Sequence, residues 1–443
     1  MLALRVLSRV EQVRAFADLS LHAALARSEL AANDRALATE LVYGTLRWRG
    51  RLDFLLASVS DRTLADLDPL VRSSLRVGAY QLLFSDRIPP SAAVDESVRC
   101  VRAAGAERAS GYVNAVLRRL AEQHGSMPLP ALATDPVGHL VHALSLPVWL
   151  AERWLTQLGA GEAAALAESL NCVPPRTVRA NRLRADRDAL LAELRTRHPD
   201  AIACRLAPDG IVLGHRGDPG LDPAFRDGRF TVQDEASQLV VELLDPRLGH
   251  RALDVCAAPG AKASAIAERI GPSGGVLALD RHERRLGLLL RDVRRLALTN
   301  VSTLVRDASQ PLPDSLVASF DRVLVDVPCS GLGSLRRNPD ARWRVQPDDI
   351  PRLAEVQGAI LRSAARGSRA GGAIVYSTCT LLPEENEGVV EGFLREVPGF
   401  RLVARAELPA ALQGVADDRG FVRLLPHRHD TDGFFAARLE RCP

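Results

Sequence analysis

The sequence predicts an α/β protein in which a helical domain and a small α+β module precede a doubly wound domain with a parallel sheet. Residues 1–125 space their apolar side chains with a helical period. From Ala252 onward, short apolar runs alternate with helical stretches, which is typical of a parallel sheet covered by helices. A chain of 443 residues has room for two or three domains. We expect them at residues 1–130, 145–232 and 233–443.

The composition excludes several classes of protein. Hydrophobic residues make up 47% and charged residues 25%, which excludes a disordered chain, a coiled-coil rod and a small disulfide scaffold. No run approaches the ~20 apolar residues of a membrane helix, and the first residues lack the apolar core of a signal peptide. The seven cysteines are scattered singly, without a CxxC pair. This favours a cytoplasmic protein with no membrane partner, no metal and no disulfide framework.

Polar residues mark the expected helix starts in the N-terminal domain. Asp34, Asp68 with Pro69, and Ser91 are each expected to begin a helix. No catalytic cluster stands out here, so a packing or docking domain is the favoured interpretation.

Two basic stretches leave alternatives open. Arginines flank Trp48 and can hold an RNA backbone beside an aromatic ring, or they can be ordinary surface charges. These are Arg47, Arg49 and Arg51. Residues 174–184 look like a strand, either an edge strand with solvated charges or a strip that follows phosphates. This strand carries Arg176, Arg179, Arg182 and Arg184.

The expected parallel sheet places its loops at one edge. Its strands are expected at residues 252–256, 275–280, 301–305, 322–327 and 373–377, and its helices at about 262–270, 283–297, 352–369 and 384–396. Ligands of such sheets bind beyond the carboxyl ends of the strands.

The residues that follow the first strands suit a nucleoside. The loop Cys256–Lys262 (CAAPGAK) is small and contains Gly260, so its backbone can approach a ligand, although it is not a dinucleotide fingerprint. Asp280 can bind a ribose diol, and Asp307 can accept from an exocyclic amine. Each acid could instead be a helix cap or a loop carboxylate. Together with Asp326 they indicate a cofactor such as S-adenosylmethionine.

One lysine stands alone among the basic residues. Of the 57 lysines and arginines, only Lys262 is a lysine. A single survivor can be chance, but its place in the first loop favours a site that needs a compact ammonium group rather than a guanidinium fork.

Two cysteines suggest the chemistry. Cys329 and Cys379 each follow a strand at the ligand edge, in polar, turn-rich surroundings. A reactive thiol needs nearby positive charge, which the arginines after Cys329 can supply unless they grip phosphates. These arginines are Arg336, Arg337, Arg342 and Arg344. A thiolate that adds to carbon 6 of cytosine activates carbon 5 toward a methyl donor, with Asp326 near ring N3 and the base flipped or single-stranded.

Several motifs then resemble a known family. The chain from about residue 145 to 443 resembles the RNA 5-methylcytosine methyltransferases in four segments. They are CAAPGAK, Phe320–Gly333 (FDRVLVDVPCSGLG), Arg336–Trp343 (RRNPDARW) and Tyr376–Glu387 (YSTCTLLPEENE). Residues Asn33–Asp53 resemble a NusB-type RNA-binding domain. The resemblance implies a Rossmann-like S-adenosylmethionine-dependent methyltransferase domain behind a NusB-like domain and a small RNA-binding module.

The resemblance also implies a substrate and roles for residues. The substrate would be a cytosine of small-subunit (16S) ribosomal RNA. The sequence does not identify the oligomeric state, for which we favour a monomer. Cys379 would be the nucleophile, Cys329 would assist product release, and Asp326 would lie near both sulfonium and base. The cofactor would contact Cys256, Ala257, Ala258, Pro259, Gly260, Ala261, Lys262, Asp280, Arg285, Asp307 and Asp326.

Two departures and two alternatives accompany this interpretation. The family usually has GGKT where this chain has Ala261-Lys262-Ala263. Ala261 lacks glycine's freedom at positive φ and Ala263 lacks a hydroxyl, so we expect weaker cofactor affinity. The alternatives are a methyltransferase of tRNA or large-subunit rRNA, and a non-catalytic RNA-binding assembly factor. The intact cysteine pair argues against the latter.

Overall fold

The computed structural model describes residues 1–215 and 217–443, which form two compact units. The helical unit comprises residues 1–172 and 335–345, and the sheet unit comprises residues 173–334 and 346–443. None of the helices formed by the described residues is long and apolar enough to cross a membrane.

The helices, numbered along the chain, are these. They are α1 (Leu2–Val13), α2 (Ala17–Ala26), α3 (Ala32–Arg47), α4 (Arg49–Val59), α5 (Pro69–Phe84), α6 (Pro90–Ala103), α7 (Ser110–Gln123), α8 (Pro136–Gly138), α9 (Val148–Leu158), α10 (Ala160–Asn171), α11 (Arg187–Leu194), α12 (Pro223–Arg226), α13 (Glu235–Leu244), α14 (Ala261–Ile270), α15 (Glu283–Arg295), α16 (Ala341–Arg344), α17 (Asp349–Ala365), α18 (Glu387–Glu396), α19 (Ala410–Gln413) and α20 (Pro426–His429).

The strands are numbered in the same way. They are β1 (Thr177–Ala180), β2 (Ile202–Ala203), β3 (Gly210–Val212), β4 (Phe230–Val232), β5 (Arg251–Asp254), β6 (Gly275–Asp280), β7 (Val301–Val305), β8 (Phe320–Asp326), β9 (Ser368–Thr378), β10 (Phe400–Leu402), β11 (Val422–Leu424) and β12 (Phe434–Arg441).

Of the three helix starts predicted in the helical unit, one is confirmed and two differ from the observed starts. Asp68 caps α5, since its carboxylate accepts the Leu70 N–H at 2.8 Å and Pro69 occupies the first turn. Helix α3 begins before Asp34, which therefore lies in its first turn, where an acid still favours the helix dipole. Helix α6 begins at a proline, which places Ser91 inside the helix.

Segment Leu335–Val345, which contains α16, belongs to the helical unit although it follows the cysteine loop of the sheet unit in sequence. Arg342 is completely buried and donates to the carbonyls of Arg47 (3.0 Å) and Ser145 (3.1 Å) and to Asn171 Oδ1 (2.9 Å). Burial lowers the pKa of Arg342 to about 9. The prediction that Arg342 charges the thiol or grips phosphates is therefore wrong.

Two other arginines of this segment, Arg336 and Arg344, also have contacts inside the helical unit. Arg336 is buried, and its carbonyl accepts from Arg47 at 2.8 Å. Arg344 lies against Asp340 (3.6 Å) and over the ring of Phe16 (4.1 Å). Arg47 is thus a structural residue of the helical unit, not an RNA ligand.

The sheet unit contains a small antiparallel sheet in the order β2-β3-β1-β4. Strand β1 is interior, so the expectation of an edge strand is wrong. Arg179 on β1 is buried and pairs with Glu268 of α14 at 2.7 Å, and it also donates to the Ala261 carbonyl at 2.7 Å. The Arg179 guanidinium is therefore paired inside the protein and is not exposed to an RNA phosphate backbone.

The large sheet has the order β10-β12-β9-β8-β5-β6-β7, with β11 on β12. Strands β7, β6, β5, β8 and β9 are parallel, as predicted. Strand β12 runs antiparallel to β9, which the sequence analysis missed. Two buried clusters cover the faces, one with α13, α14 and α15 and the other with α17 and α18. The carboxyl ends of the parallel strands meet at one edge.

Candidate active site

The loop after β5 turns at a glycine. Gly260 has φ +116°, and a Cβ there would lie 2.7 Å from the Leu289 side chain, so only glycine fits. Ala261 is the first residue of α14 and has helical backbone. Ala263 is fully buried in the core. The backbone reason for expecting weaker cofactor affinity at Ala261 therefore disappears, because the positive φ falls one residue earlier.

A cavity of about 300 Å³ lies at the carboxyl edge of the sheet. This volume is at the lower end of the ~300–1,000 Å³ usual for small-molecule sites. Its apolar lining includes Ala308, Val356 and Ile360. Of the predicted cofactor residues, those that line it are Cys256, Ala258, Asp280, Arg285, Asp307 and Asp326. Those that do not line it are Ala257, Pro259, Gly260, Ala261 and Lys262.

The acids that end β6 and follow β7 are held by local hydrogen bonds. Asp280 is buried and accepts the His282 N–H at 2.8 Å. Arg285 lies 3.6 Å from Asp280 Oδ2 and donates to the Ala258 carbonyl at 2.6 Å, so it ties β6 to the first loop. Asp307 Oδ1 accepts the hydroxyl and N–H of Ser309 at 2.7 and 2.9 Å, which lowers the Asp307 pKa. Its Oδ2 is left for a ligand donor.

Asp254, at the end of β5, is a functional candidate that the sequence analysis missed. Burial, with the neighbouring Asp326 charge, raises its pKa to about 7, and the Cys256 N–H offsets this only in part. Neither carboxylate oxygen has a well-formed hydrogen bond within the described residues. A buried carboxylate without a donor is unfavourable, so this position suits a ligand that brings donors. The signal in the sequence was an acid that closes the first strand, ALDVC.

The two predicted thiols lie together. Cys329 Sγ and Cys379 Sγ are 3.4 Å apart. Their loops also touch through the backbone, where Gly333 N–H donates to the Cys379 carbonyl at 2.9 Å. A Cβ on Gly333 would lie 2.1 Å from the Gly433 carbonyl oxygen, so glycine permits this approach. The hydrogen bond to Cys379 and burial raise the Cys329 pKa well above its ordinary range.

The lone lysine supplies the positive charge of this site. Lys262 Nζ donates to Asp326 Oδ2 at 2.7 Å, and Ser377 Oγ donates to Asp326 Oδ1 at 2.7 Å. Burial alone would lower the Lys262 pKa, but the charge of Asp326 and that of Cys379 raise it. Lys262 is therefore held by Asp326, and the charge of Cys379 also acts on it. Ser377 and Phe434, whose ring lies 5.4 Å from Nζ, were not predicted.

Cys256 differs from these two thiols. It lines the cavity, and burial followed by the charge of Asp254 raises its pKa above the ordinary range. A thiol held neutral in this way is a wall of the cavity rather than a nucleophile. Within the described residues no group of three His, Cys, Asp or Glu side chains could hold a metal ion.

Known proteins match this chain along its whole length. The 16S rRNA methyltransferase RsmB/F family matches residues 241–440, the NusB family matches residues 1–122, and the RsmF/B-like ferredoxin-like domain matches residues 146–218. The probable ribosomal RNA small subunit methyltransferase B of Bacillus subtilis is 36% identical over 99% of this chain and 98% of its own. The chain belongs to the RsmB/F family of 16S rRNA methyltransferases.

Other RsmB/F relatives and a solved structure agree. The ribosomal RNA small subunit methyltransferase B of Pseudomonas putida is 36% identical over 99% of this chain and 97% of its own. The crystal structure of PH0851 has a TM-score of 0.83 and 27% identity, and covers 99% of this chain and 98% of its own. The protein is an S-adenosylmethionine-dependent RNA methyltransferase with a NusB domain, a ferredoxin-like module and a Rossmann-like sheet, and the predicted fold class and family are confirmed. The predicted boundaries at residues 130, 145 and 232 stay predictions.

Proposed function

We propose that this protein methylates carbon 5 of a cytosine in small-subunit ribosomal RNA through a covalent bond between Cys379 and carbon 6. The observation that carries the proposal is the pair of thiols whose Sγ atoms are 3.4 Å apart at the carboxyl edge of the sheet. The names of the relatives favour small-subunit rRNA over tRNA or large-subunit rRNA as the substrate. Two intact thiols argue against a non-catalytic assembly factor, which would have no use for both.

S-adenosylmethionine fits the cavity at the sheet edge. Asp280 would hold the ribose hydroxyls and Asp307, through its Oδ2, the adenine amine. Both carboxylates accept local hydrogen bonds through Oδ1, from His282 and Ser309 respectively, and each has a second oxygen that can accept from the cofactor. The loop Cys256–Lys262 would follow the methionine part, with Arg285 holding the loop in place. The bound cofactor supplies the methyl group.

The residues of the chain perform the remaining steps. The Cys379 thiolate adds to carbon 6 of the ring, which breaks the 5,6 double bond and makes carbon 5 nucleophilic. Asp326 would lie near ring N3 and stabilise the adduct. After carbon 5 has gained its methyl group, a general base takes its proton. The electron pair left behind re-forms the 5,6 double bond as the bond from Cys379 to carbon 6 breaks and the thiolate leaves. Cys329 assists this release from its place beside Cys379.

Two single variants test the assignment of the thiols. Cys379→Ala should abolish methyl transfer but leave S-adenosylmethionine affinity unchanged, because other loops build the cavity. Cys329→Ala should form the adduct and release it slowly, so a covalent protein–RNA complex should accumulate. A denaturing gel would show that complex as a shifted band that nuclease removes.

Their outcomes separate the alternatives. The double variant should resemble Cys379→Ala and form no band. Full turnover by Cys379→Ala would refute the covalent mechanism, and a stable band in Cys379→Ala alone would exchange the two roles. Bisulfite sequencing of ribosomal RNA from a deletion strain would identify the target, and an unchanged 16S pattern would redirect the search to other RNAs.

A further inference from the structure

Glu385 is a buried carboxylate that the proposed mechanism does not use. Its side chain has no exposed surface, and it lies in a short turn after β9. Oε2 accepts the Ser330 N–H and the Gln357 side-chain amide, both at 2.9 Å, and Oε1 accepts the Ser330 hydroxyl at 2.5 Å. Within the described residues no arginine or lysine pairs with it. Burying an uncompensated carboxylate costs several kcal/mol, so its retention calls for a role.

The hydrogen bonds of Glu385 hold the chain on both sides of Cys329. Ser330 follows the cysteine directly, and Gln357 also donates to the carbonyl of Pro328, which precedes it, at 3.0 Å. The Tyr376 hydroxyl, on β9, donates to the Glu385 carbonyl at 2.5 Å and so ties the turn to this strand. The position of Cys329 is therefore set by Glu385.

The neighbouring residue holds Cys379 in the same way. Asn386 accepts from the Thr378 hydroxyl at 2.5 Å and donates to the Thr380 carbonyl at 3.1 Å, so it binds the residues on both sides of Cys379. The two halves are joined, since the hydroxyls of Ser330 and Thr380 are 2.7 Å apart. One turn, Glu385-Asn386, thus positions both thiols.

The charges around the two thiols differ in sign. Lys262 interacts with Cys379, whereas the negative charge of Glu385 lies on the side of Cys329. The hydrogen bond with Cys379 contributes most to the raised Cys329 pKa, burial comes next, and Glu385 adds to both. A cation at one sulfur and an anion at the other would make the two unequal.

We propose that Glu385 is a positioning residue that holds Cys329 against Cys379 and, through its fixed negative charge, leaves Cys379 as the thiol that attacks. This inference rests on the proposed function for its catalytic meaning. The positioning and the charge asymmetry do not depend on which RNA is methylated.

Glu385→Gln separates charge from geometry. The amide oxygen of glutamine can still accept from Ser330 N–H and Gln357, and its NH₂ can donate to the Ser330 hydroxyl, which then turns to Thr380. The variant therefore loses the charge and keeps the contacts, whereas Glu385→Ala loses both. Glu235→Gln is the matched control. Glu235 is also buried in the sheet unit and accepts backbone N–H bonds, and it lies beside Cys204 instead.

The first measurement needs neither RNA nor cofactor. Iodoacetamide alkylation of Cys329 is followed against pH by mass spectrometry of the cysteine peptides, since the thiolate is the form that reacts. In Glu385→Gln the midpoint for Cys329 should fall to a lower pH than in the wild type, as expected for loss of a nearby like charge. In Glu235→Gln it should stay at the wild-type pH. An unchanged midpoint in a folded Glu385→Gln variant would overturn the proposal, even if the enzyme methylates cytosine.

The second measurement concerns turnover. Glu385→Gln should lower kcat while the KM for S-adenosylmethionine stays within about twofold of wild type, and Glu385→Ala should lower kcat further. Equal kcat values for wild type and Glu385→Gln would remove the role of the charge. A shifted alkylation midpoint without any cytosine methylation in the wild type would instead refute the proposed function and leave the placement of Glu385 standing.

Discussion

Asp254 and Lys262 show how burial sets the chemistry of single residues at this site. Neither oxygen of Asp254 has a well-formed hydrogen bond within the described residues, and burial together with the Asp326 charge raises the Asp254 pKa to about 7. Lys262 is half-buried, and its pKa is raised because Asp326 lies beside it and accepts a hydrogen bond from Nζ at 2.7 Å. A compact ammonium group reaches Asp326 and interacts with Cys379 without the width of a guanidinium. The single lysine of the sequence is thus explained by its two neighbours.

Asp254→Asn should change how stability depends on pH. The folded-state pKa of about 7 lies above the ordinary 3.8, so the protonated carboxyl stabilises the fold below about pH 4, and this contribution is lost as pH rises through 7. The wild type should lose about 1 kcal/mol more unfolding free energy than Asp254→Asn between about pH 6 and pH 8.

Urea unfolding of the cofactor-free protein, followed by circular dichroism at several pH values, checks this prediction. The exposed variant Asp314→Asn should follow the wild type, because its carboxylate is solvated in both states. Parallel pH profiles for wild type and Asp254→Asn would show that Asp254 is charged throughout this range.

At the scale of elements, the parallel strands deliver the acids to one cavity. Asp280 ends β6 and Asp307 follows β7, and the pairing of these strands brings both side chains to the same cavity wall. Arg285 of α15 links Asp280 to the first loop, since it lies 3.6 Å from Asp280 and donates to the Ala258 carbonyl. The order of the strands therefore brings the two carboxylates to one cavity, and the local hydrogen bonds orient each of them.

Asp280→Ala and Asp307→Ala should each weaken S-adenosylmethionine binding more than RNA binding. A lost hydrogen bond to a charged group corresponds to roughly 1.5–3 kcal/mol, or about 10- to 150-fold in Kd. Calorimetric titration with the cofactor and a filter-binding assay with RNA measure the two affinities. Asp314→Ala, exposed in the same unit, is the control. Unchanged cofactor affinity with weakened RNA binding would contradict the assignment of the cavity.

At the scale of the whole molecule, segment Leu335–Val345 belongs to the helical unit, although in sequence it lies between two parts of the sheet unit. Arg342 and Trp343 bond to carbonyls of the first 172 residues, with Trp343 Nε1 donating to the Leu46 carbonyl at 2.7 Å. Cutting the chain near residue 145 would leave these groups without partners. The contribution of residues 1–130 to RNA binding is therefore better tested by point variants than by truncation.

Arg342→Met should destabilise the helical unit by on the order of 2 kcal/mol, because it leaves buried acceptors of the unit unpaired. All four tryptophans lie in this unit, so urea unfolding followed by tryptophan fluorescence reports on it selectively. The control is Arg99→Met, on an exposed face of α6, where little should change. A fluorescence midpoint equal to that of the wild type would show that segment Leu335–Val345 is not part of the stable unit.

The sequence by itself determined the parallel strands, their polar ends and the pairing of Cys329 with Cys379, because the local period of apolar residues and the residues just after each strand encode them. It did not determine which charges serve them. The sequence predicts that Arg342 charges the thiol or grips phosphates, and that Arg179 is solvated or follows phosphates. Both are instead buried by partners that include residues 171 to 295 positions away for Arg342 and 82 to 89 positions away for Arg179. Only the tertiary structure decides burial and the identity of a distant partner, and these set the free energy of a charge.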